Sequence, residues 1–388
     1  MAKNKFFSAF VLLTVGIFLR YFLAKFLTNR LPIFGQIIVI ILIISIGAFY
    51  IIQETAKIIE ETTEILSEKT KIAGGVLQSI GTAFPDMVLG IVAALTSLQM
   101  RGSNYPESIN YAIIAAATTF GSNIYNIGYG IWCIFRQNLA NKLNISIRLN
   151  PLFQRMGMVS PMNLHKIVPD LKEIDTSIDV LNALTVLTAI TVFSMVIFGK
   201  VGPSDNPLSG DLYQLIKPVG ALIFVFAISI IYFFRKTTRV ANFEEDVINP
   251  NKYFRNKPET IIWISLVLAG IAILFTAQAM IFAVKTLSDI SRIPVVVTGV
   301  MAGIIGCLGE MAVIHNFTVN PNGRIGDAVV GIGMDNIVTI AGASIVAMLG
   351  GVYLGGNALI LIFVMTLSLN TILIWQISKL KNFVLNKK

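Results

Sequence analysis

The chain reads as an all-α polytopic membrane protein, with ten transmembrane helices in two inverted five-helix repeats. Three observations lead there. Of its residues, 55% are hydrophobic and only 13% charged, and the mean hydropathy of +0.76 lies outside the soluble globular range. Apolar runs of roughly 20 residues, the length of a bilayer crossing, recur along the whole sequence. Two of these runs, one in each half, are glycine-rich and carry acid: Ile80-Gly81-Thr82-Ala83-Phe84-Pro85-Asp86-Met87 and Ile305-Gly306-Cys307-Leu308-Gly309-Glu310-Met311. A carboxylate near the midplane costs about 2.5 to 3.5 kcal/mol on insertion scales, so by default it marks a pathway for ions or protons.

The runs fall near 6–28, 34–58, 72–99, 108–135, 177–199, 211–234, 259–285, 294–318, 325–350 and 355–378. The first has the lysines of a signal peptide before it (Lys3, Lys5) but no convincing cleavage site after it, and it reads as a retained helix. The two longest connections, 136–176 and 235–258, are polar and basic and are separated by two helices, which puts them on one side. That side also collects Lys57, Lys69, Lys71 and the tail lysines, while the other keeps only a few cations such as Arg101, Lys200 and Lys285. The excess of Lys and Arg places both termini in the cytoplasm. It also accounts for the net charge of +9, leaving no soluble basic domain to bind nucleic acid. Cys133 and Cys307 sit in apolar stretches and make neither a disulfide framework nor a metal motif.

Ten helices divide into five and five, and each acidic motif falls on the third helix of its half. An odd number of crossings per half inverts the second half. The motifs then face each other across an axis in the membrane plane, the layout of inverted-repeat transporters. In this division residues 1–235 form the first repeat with its 136–176 cytoplasmic loop, and 236–258 is a linker. Residues 259–388 hold the remaining helices of the second repeat, which begins near 211.

The first motif supplies oxygen. Pro85 removes a backbone donor and frees a carbonyl one turn upstream, which at membrane depth needs a partner such as a cation. With the Thr82 hydroxyl and the Asp86 carboxylate it makes a donor set of the kind calcium takes. The bland alternative is a proline kink beside a buried, protonated aspartate. The helix after each motif offers a second set. Ser122 and Asn126, four apart in Gly121-Ser122-Asn123-Ile124-Tyr125-Asn126-Ile127-Gly128, share a helical face, and Gly331 and Asp335 repeat the spacing. Ser122 and Gly331 read equally well as small residues for close helix packing. Asp335 is deep in its span, whereas Asp327 near the helix start complements the dipole. His315 reads as an interfacial histidine, with a proton relay the alternative. Glu60, Glu61, Glu64 and Glu68 read as a solvated acidic face.

Gly81-Thr82-Ala83-Phe84-Pro85-Asp86 resembles the Gly-Thr-Ser-Leu-Pro-Glu signature of the calcium/cation antiporter superfamily, and Gly121 to Gly128 is similar to its following-helix motif. The stretch Glu61 to Glu68 and the helix Ala73-Gly74-Gly75-Val76-Leu77 resemble calcium/proton members; Ile305 to Glu310 and Gly326 to Asp335 match more loosely. The resemblance implies a central calcium site of Asp86 and Glu310 with Thr82 beside them, and flanking cation groups Ser122, Asn126 and Asp335. Asp86 stands in place of the usual glutamate. Ala83, Cys307, Gly306 and Gly331 stand where the family has hydroxyls or amides, which puts sodium coupling in question.

The expectation is therefore an ion transporter, not an enzyme, with no cofactor: an antiporter exchanging calcium or a related divalent cation for sodium or protons. Its partners are those ions and the lipid bilayer, with neither nucleic acid nor a protein partner implied. A cation channel using the same acids is one rival. An intramembrane aspartyl protease is another. Gly331-Ile332-Gly333-Met334-Asp335 has one residue too many for that motif, which turns the acid by about 100°.

Overall fold

A computed structural model describes residues 4–28, 31–70, 74–149, 157–164, 167–203, 211–238, 253–319 and 325–386. Helix occupies each of the ten expected places. The first holds α1 (Lys5–Phe18) and α2 (Ala24–Thr28), joined by a π-helical turn at Leu19–Leu23; the second holds α3 (Ile33–Ile46) and α4 (Gln53–Thr70), with another at Gly47–Ile52. Then come α5 (Gly74–Met100), α6 (Tyr105–Leu143), α7 (Leu171–Phe198), α8 (Lys217–Thr238) and α9 (Glu259–Ser291). The eighth place is split into α10 (Val295–Gly306) and α11 (Leu308–Val319), followed by α12 (Ile325–Leu349) and α13 (Gly356–Leu385).

Among the described residues, 7 stretches are helical, long and apolar enough to cross a membrane: Lys5–Leu27, Ile33–Thr63, Lys217–Phe234, α7, α9, α12 and α13. Polarity excludes α6, where Ser122, Asn123 and Asn126 dilute the apolar run. The eighth place is cut in two, and α5 adds the shorter apolar helix Met87–Met100. On the outer helices Phe22, Phe34, Phe193 and Phe233 expose most of their rings, as lipid-facing side chains do.

Most of α12 is buried, enclosed by α5, α6, α7, α8 and α11. The packing has a pattern: α6 lies against α10 and α13, while α12 lies against α5 and α7. Outside that pattern α1 runs along α9, and α8 along α12. Glycine permits a close crossing between α6 and α10. A Cβ on Gly303 would stand 2.8 Å from the Thr118 carbonyl oxygen and 2.9 Å from the Ser122 nitrogen, neither of which can move without its helix. Gly303→Ala is therefore expected to cost about 1–3 kcal/mol by overpacking. Its thermal midpoint in detergent should fall below wild type, while that of Gly128→Ala, whose added methyl meets nothing within 4 Å among the described residues, should not.

Helix ends depart from the expected bounds for tertiary reasons. α6 runs past 135 to Leu143 because Gln137 donates to Ser160 O (2.9 Å) and Asn141 accepts from Met162 N–H (3.1 Å), so the polar end is covered by returning chain. There β1 (Ile147–Arg148) pairs with β2 (Met158–Val159). α7 begins at Leu171, and Glu173 caps α12 by accepting from the N–H groups of Gly326 (2.8 Å) and Asp327 (3.3 Å). Lys381 on α13 pairs with Asp175 at this same end (2.7 Å). At the opposite end β3 (Lys200–Pro203), β4 (Asp211–Gln214) and β5 (Tyr353–Gly355) form an antiparallel sheet. Beside it Arg101 donates to Gly350 O (2.6 Å) and Tyr353 Oη (2.8 Å); burial raises the Tyr353 pKa above the ordinary phenol value, against the pull of Arg101. The expected linker 236–258 lies mostly outside the described residues.

Candidate cation site

The second acidic motif breaks its helix. Gly306 and Gly309 flank Cys307, and glycine weakens a helix by about 1 kcal/mol relative to alanine. Cys307 leaves helical geometry at φ −85°, ψ 0°. α11 restarts at once, with the Met311 N–H bonded to Cys307 O at 2.9 Å. Glu310 thus falls in the first turn of a helix, where the dipole favours a carboxylate. It is 4% exposed. Asn126 of α6, also buried, donates from Nδ2 to Glu310 Oε2. This bond joins candidate residues from the two halves of the chain, 184 positions apart.

The first motif behaves differently from the expected broken turn. α5 is continuous through Pro85. A proline inside a helix removes one donor, here the partner of the Gly81 carbonyl, without having to end the helix. The side chains of Thr82 and Asp86 lie outside the described residues. Their helix is nonetheless placed beside the site. A Cβ on Gly342 would sit 3.0 Å from Met87 Cγ, so α5 and α12 meet there. A Cβ on Gly351, just past α12, would likewise meet Ala94 Cβ at 3.6 Å, so the two helices run in the same direction, and Asp335 lies about two turns before Gly342 on α12. Asp335 is buried.

Ser122 is buried one turn from Asn126, and its hydroxyl donates to Thr119 O at 2.8 Å, leaving lone pairs for another partner. α10 crosses at that level, with Gly303 packed against the Ser122 backbone. At Gly331 an added methyl would meet nothing within 4 Å among the described residues. The sequence reading passed over two amides. Asn123 Oδ1 and both amide atoms of Asn336 are buried with no hydrogen-bond partner among the described residues, as is Asn126 Oδ1. Their only signal was an amide within an apolar run.

His315 is half-buried, with its Nδ1 2.9 Å from the Tyr129 hydroxyl of α6. Glu61 is no solvated residue. It is buried, pairs with Lys5 and accepts the Phe254 N–H at 2.9 Å, tying α1, α4 and the approach to α9 together. The side chains of Glu60, Glu64 and Glu68 lie outside the described residues.

Apolar helices facing outward around buried acids and amides define an integral, multi-pass, α-helical membrane protein. Its structure is similar to that of the H+/Ca2+ exchanger CAX, at 14% sequence identity over 98% of this chain and 95% of that one, with a TM-score of 0.53. The chain has that exchanger's fold, in agreement with the antiporter resemblance of its motifs. Similarity also extends to the sodium-calcium exchanger NCX_Mj soaked with 2.5 mM Na+ and 10 mM Sr2+, at 14% identity over 90% of this chain and 98% of that one, with a TM-score of 0.44. No protein-family model matches the chain, and no curated protein matches its sequence.

Proposed function

We propose that the chain is a secondary antiporter exchanging calcium, or a related divalent cation, for sodium or protons by alternating access. The observation that carries this reading is the buried bond from Asn126 to Glu310, inside a fold that an H+/Ca2+ exchanger also has. Asp86 and Glu310 form the central acidic site with Thr82 beside them, and Ser122, Asn126 and Asp335 flank it. Asn126 holds the Glu310 carboxylate through Nδ2 and keeps Oδ1 for a cation. Two ionised acids neutralise a divalent ion. Without it their charges cannot stay bare at low dielectric, so protons or sodium must take its place. Mutual exclusion at one anionic site makes the transport an exchange.

The two inverted repeats belong to the same reading. What supports them is the reciprocal packing, in which α6 meets α10 and α13 as α12 meets α5 and α7. The helices of the second to fifth spans then match those of the seventh to tenth. Basic loops put both termini in the cytoplasm.

Calcium flux into proteoliposomes under separately imposed sodium and proton gradients tests the proposal. Uptake driven by one gradient and abolished by its collapse is expected; uptake that needs neither would make the protein a channel. Labelling a cysteine introduced in the 136–176 loop reads the orientation in the same vesicles, and labelling from the outer face alone would overturn the assigned topology.

A further inference from the structure

Cys307, Met311 and His315 recur at intervals of four from the helix break. On an α-helix such positions drift by only about 40° per step, so they make one stripe. Glu310, three residues after Cys307, lies about 60° round the helix from the start of the stripe. Its members are in contact or held. Cys307 Sγ lies 3.8 Å from Met311 Sδ and 3.3 Å from Ile304 O, and Tyr129 fixes the His315 ring through Nδ1. Cys307 is buried, while Met311 and His315 are half-buried, so the stripe opens away from the break.

The donor types are what need explaining. Methionine and cysteine fill apolar gaps well enough, but here thiol, thioether and imidazole stand in one register beside an acid. Calcium is a hard ion that takes oxygen. Thiolate and thioether select softer ions, and imidazole suits zinc and its neighbours. We infer that this stripe gives the site a preference for a softer divalent cation, of the zinc or cadmium kind, and carries it between Glu310 and the end of the bundle where α11 finishes. The inference rests on the antiporter reading and names its cargo more narrowly. Cys307 and His315 are about 12 Å apart along the helix, too far to close round one ion, so the three act as successive steps.

The test is the ratio of cadmium to calcium uptake, measured with both radioactive ions in the same proteoliposomes under the same gradient. Wild type is expected to favour cadmium by about tenfold. Cys307→Ser with Met311→Leu and His315→Gln should lower the ratio by about tenfold. Being a ratio, it does not depend on how much protein is folded. Met311→Leu alone, nearly isosteric, should lower it part of the way and serves if the triple variant does not insert. Calcium uptake by wild type with a ratio at or below one would overturn the inference and leave the antiporter standing. So would a variant with the wild-type ratio. Uptake of neither ion by wild type would overturn both.

Discussion

Glu310→Gln and Asp86→Asn are each expected to bring divalent-cation transport down to the level of empty vesicles, with the protein still folded. Each removes one of the two charges that offset the ion, while the amide keeps the volume. At Glu310 the new side chain also keeps an oxygen that can accept the Asn126 N–H, so the link between α6 and α11 survives. What is lost is the charge. Leaving a buried ion with half its counter-charge costs about 3–5 kcal/mol, which is more than a hundredfold in affinity at about 1.4 kcal/mol per tenfold. Flux in proteoliposomes, read beside a thermal midpoint in detergent, separates loss of transport from loss of fold. Wild-type flux in either folded variant would refute the central site.

Asp335→Asn should leave cation binding nearly unchanged and still impair exchange. With Asp86 and Glu310 ionised, a bound divalent cation is already neutralised. A third ionised acid nearby would leave the occupied site net negative in a medium where unpaired charge is costly. On the proposed site Asp335 is therefore expected to be neutral while the cation is bound, and the asparagine resembles that form and mirrors Asn126. Calcium affinity should stay within about threefold of wild type, less than 1 kcal/mol. Exchange should fall by about tenfold or more if Asp335 ionises to hold the incoming monovalent ion. Equilibrium calcium binding and flux under each gradient read the two effects apart. A loss of calcium affinity as large as that of Glu310→Gln would make Asp335 a primary ligand and sink this account.

Much of the architecture was legible without coordinates, because hydrophobicity adds up along a chain and bilayer length is a local property. Helix stands at all ten places read from the apolar runs. The candidate residues were legible in part. Glu310 and Asn126 were marked by acid and amide inside apolar runs, and the structure bonds them. Asn123 and Asn336 carried the same kind of mark, without an acid's cost to draw notice.

What the sequence by itself determined was a membrane-spanning helical chain with acid in each half, since composition and spacing suffice for that. Tertiary structure alone decided the rest. Two glycine-flanked motifs with similar letters part ways, α5 running on through Pro85 while the other breaks at Cys307. Glu61 lies in a run of glutamates, yet Lys5 and the Phe254 N–H reach it from distant segments and bury it. His315 is oriented by Tyr129, 186 positions away. The physical reason is common to all of these. Burying an apolar run needs only its own side chains, whereas a polar group inside the protein is stable only if a partner arrives, and which partner arrives depends on how the helices meet.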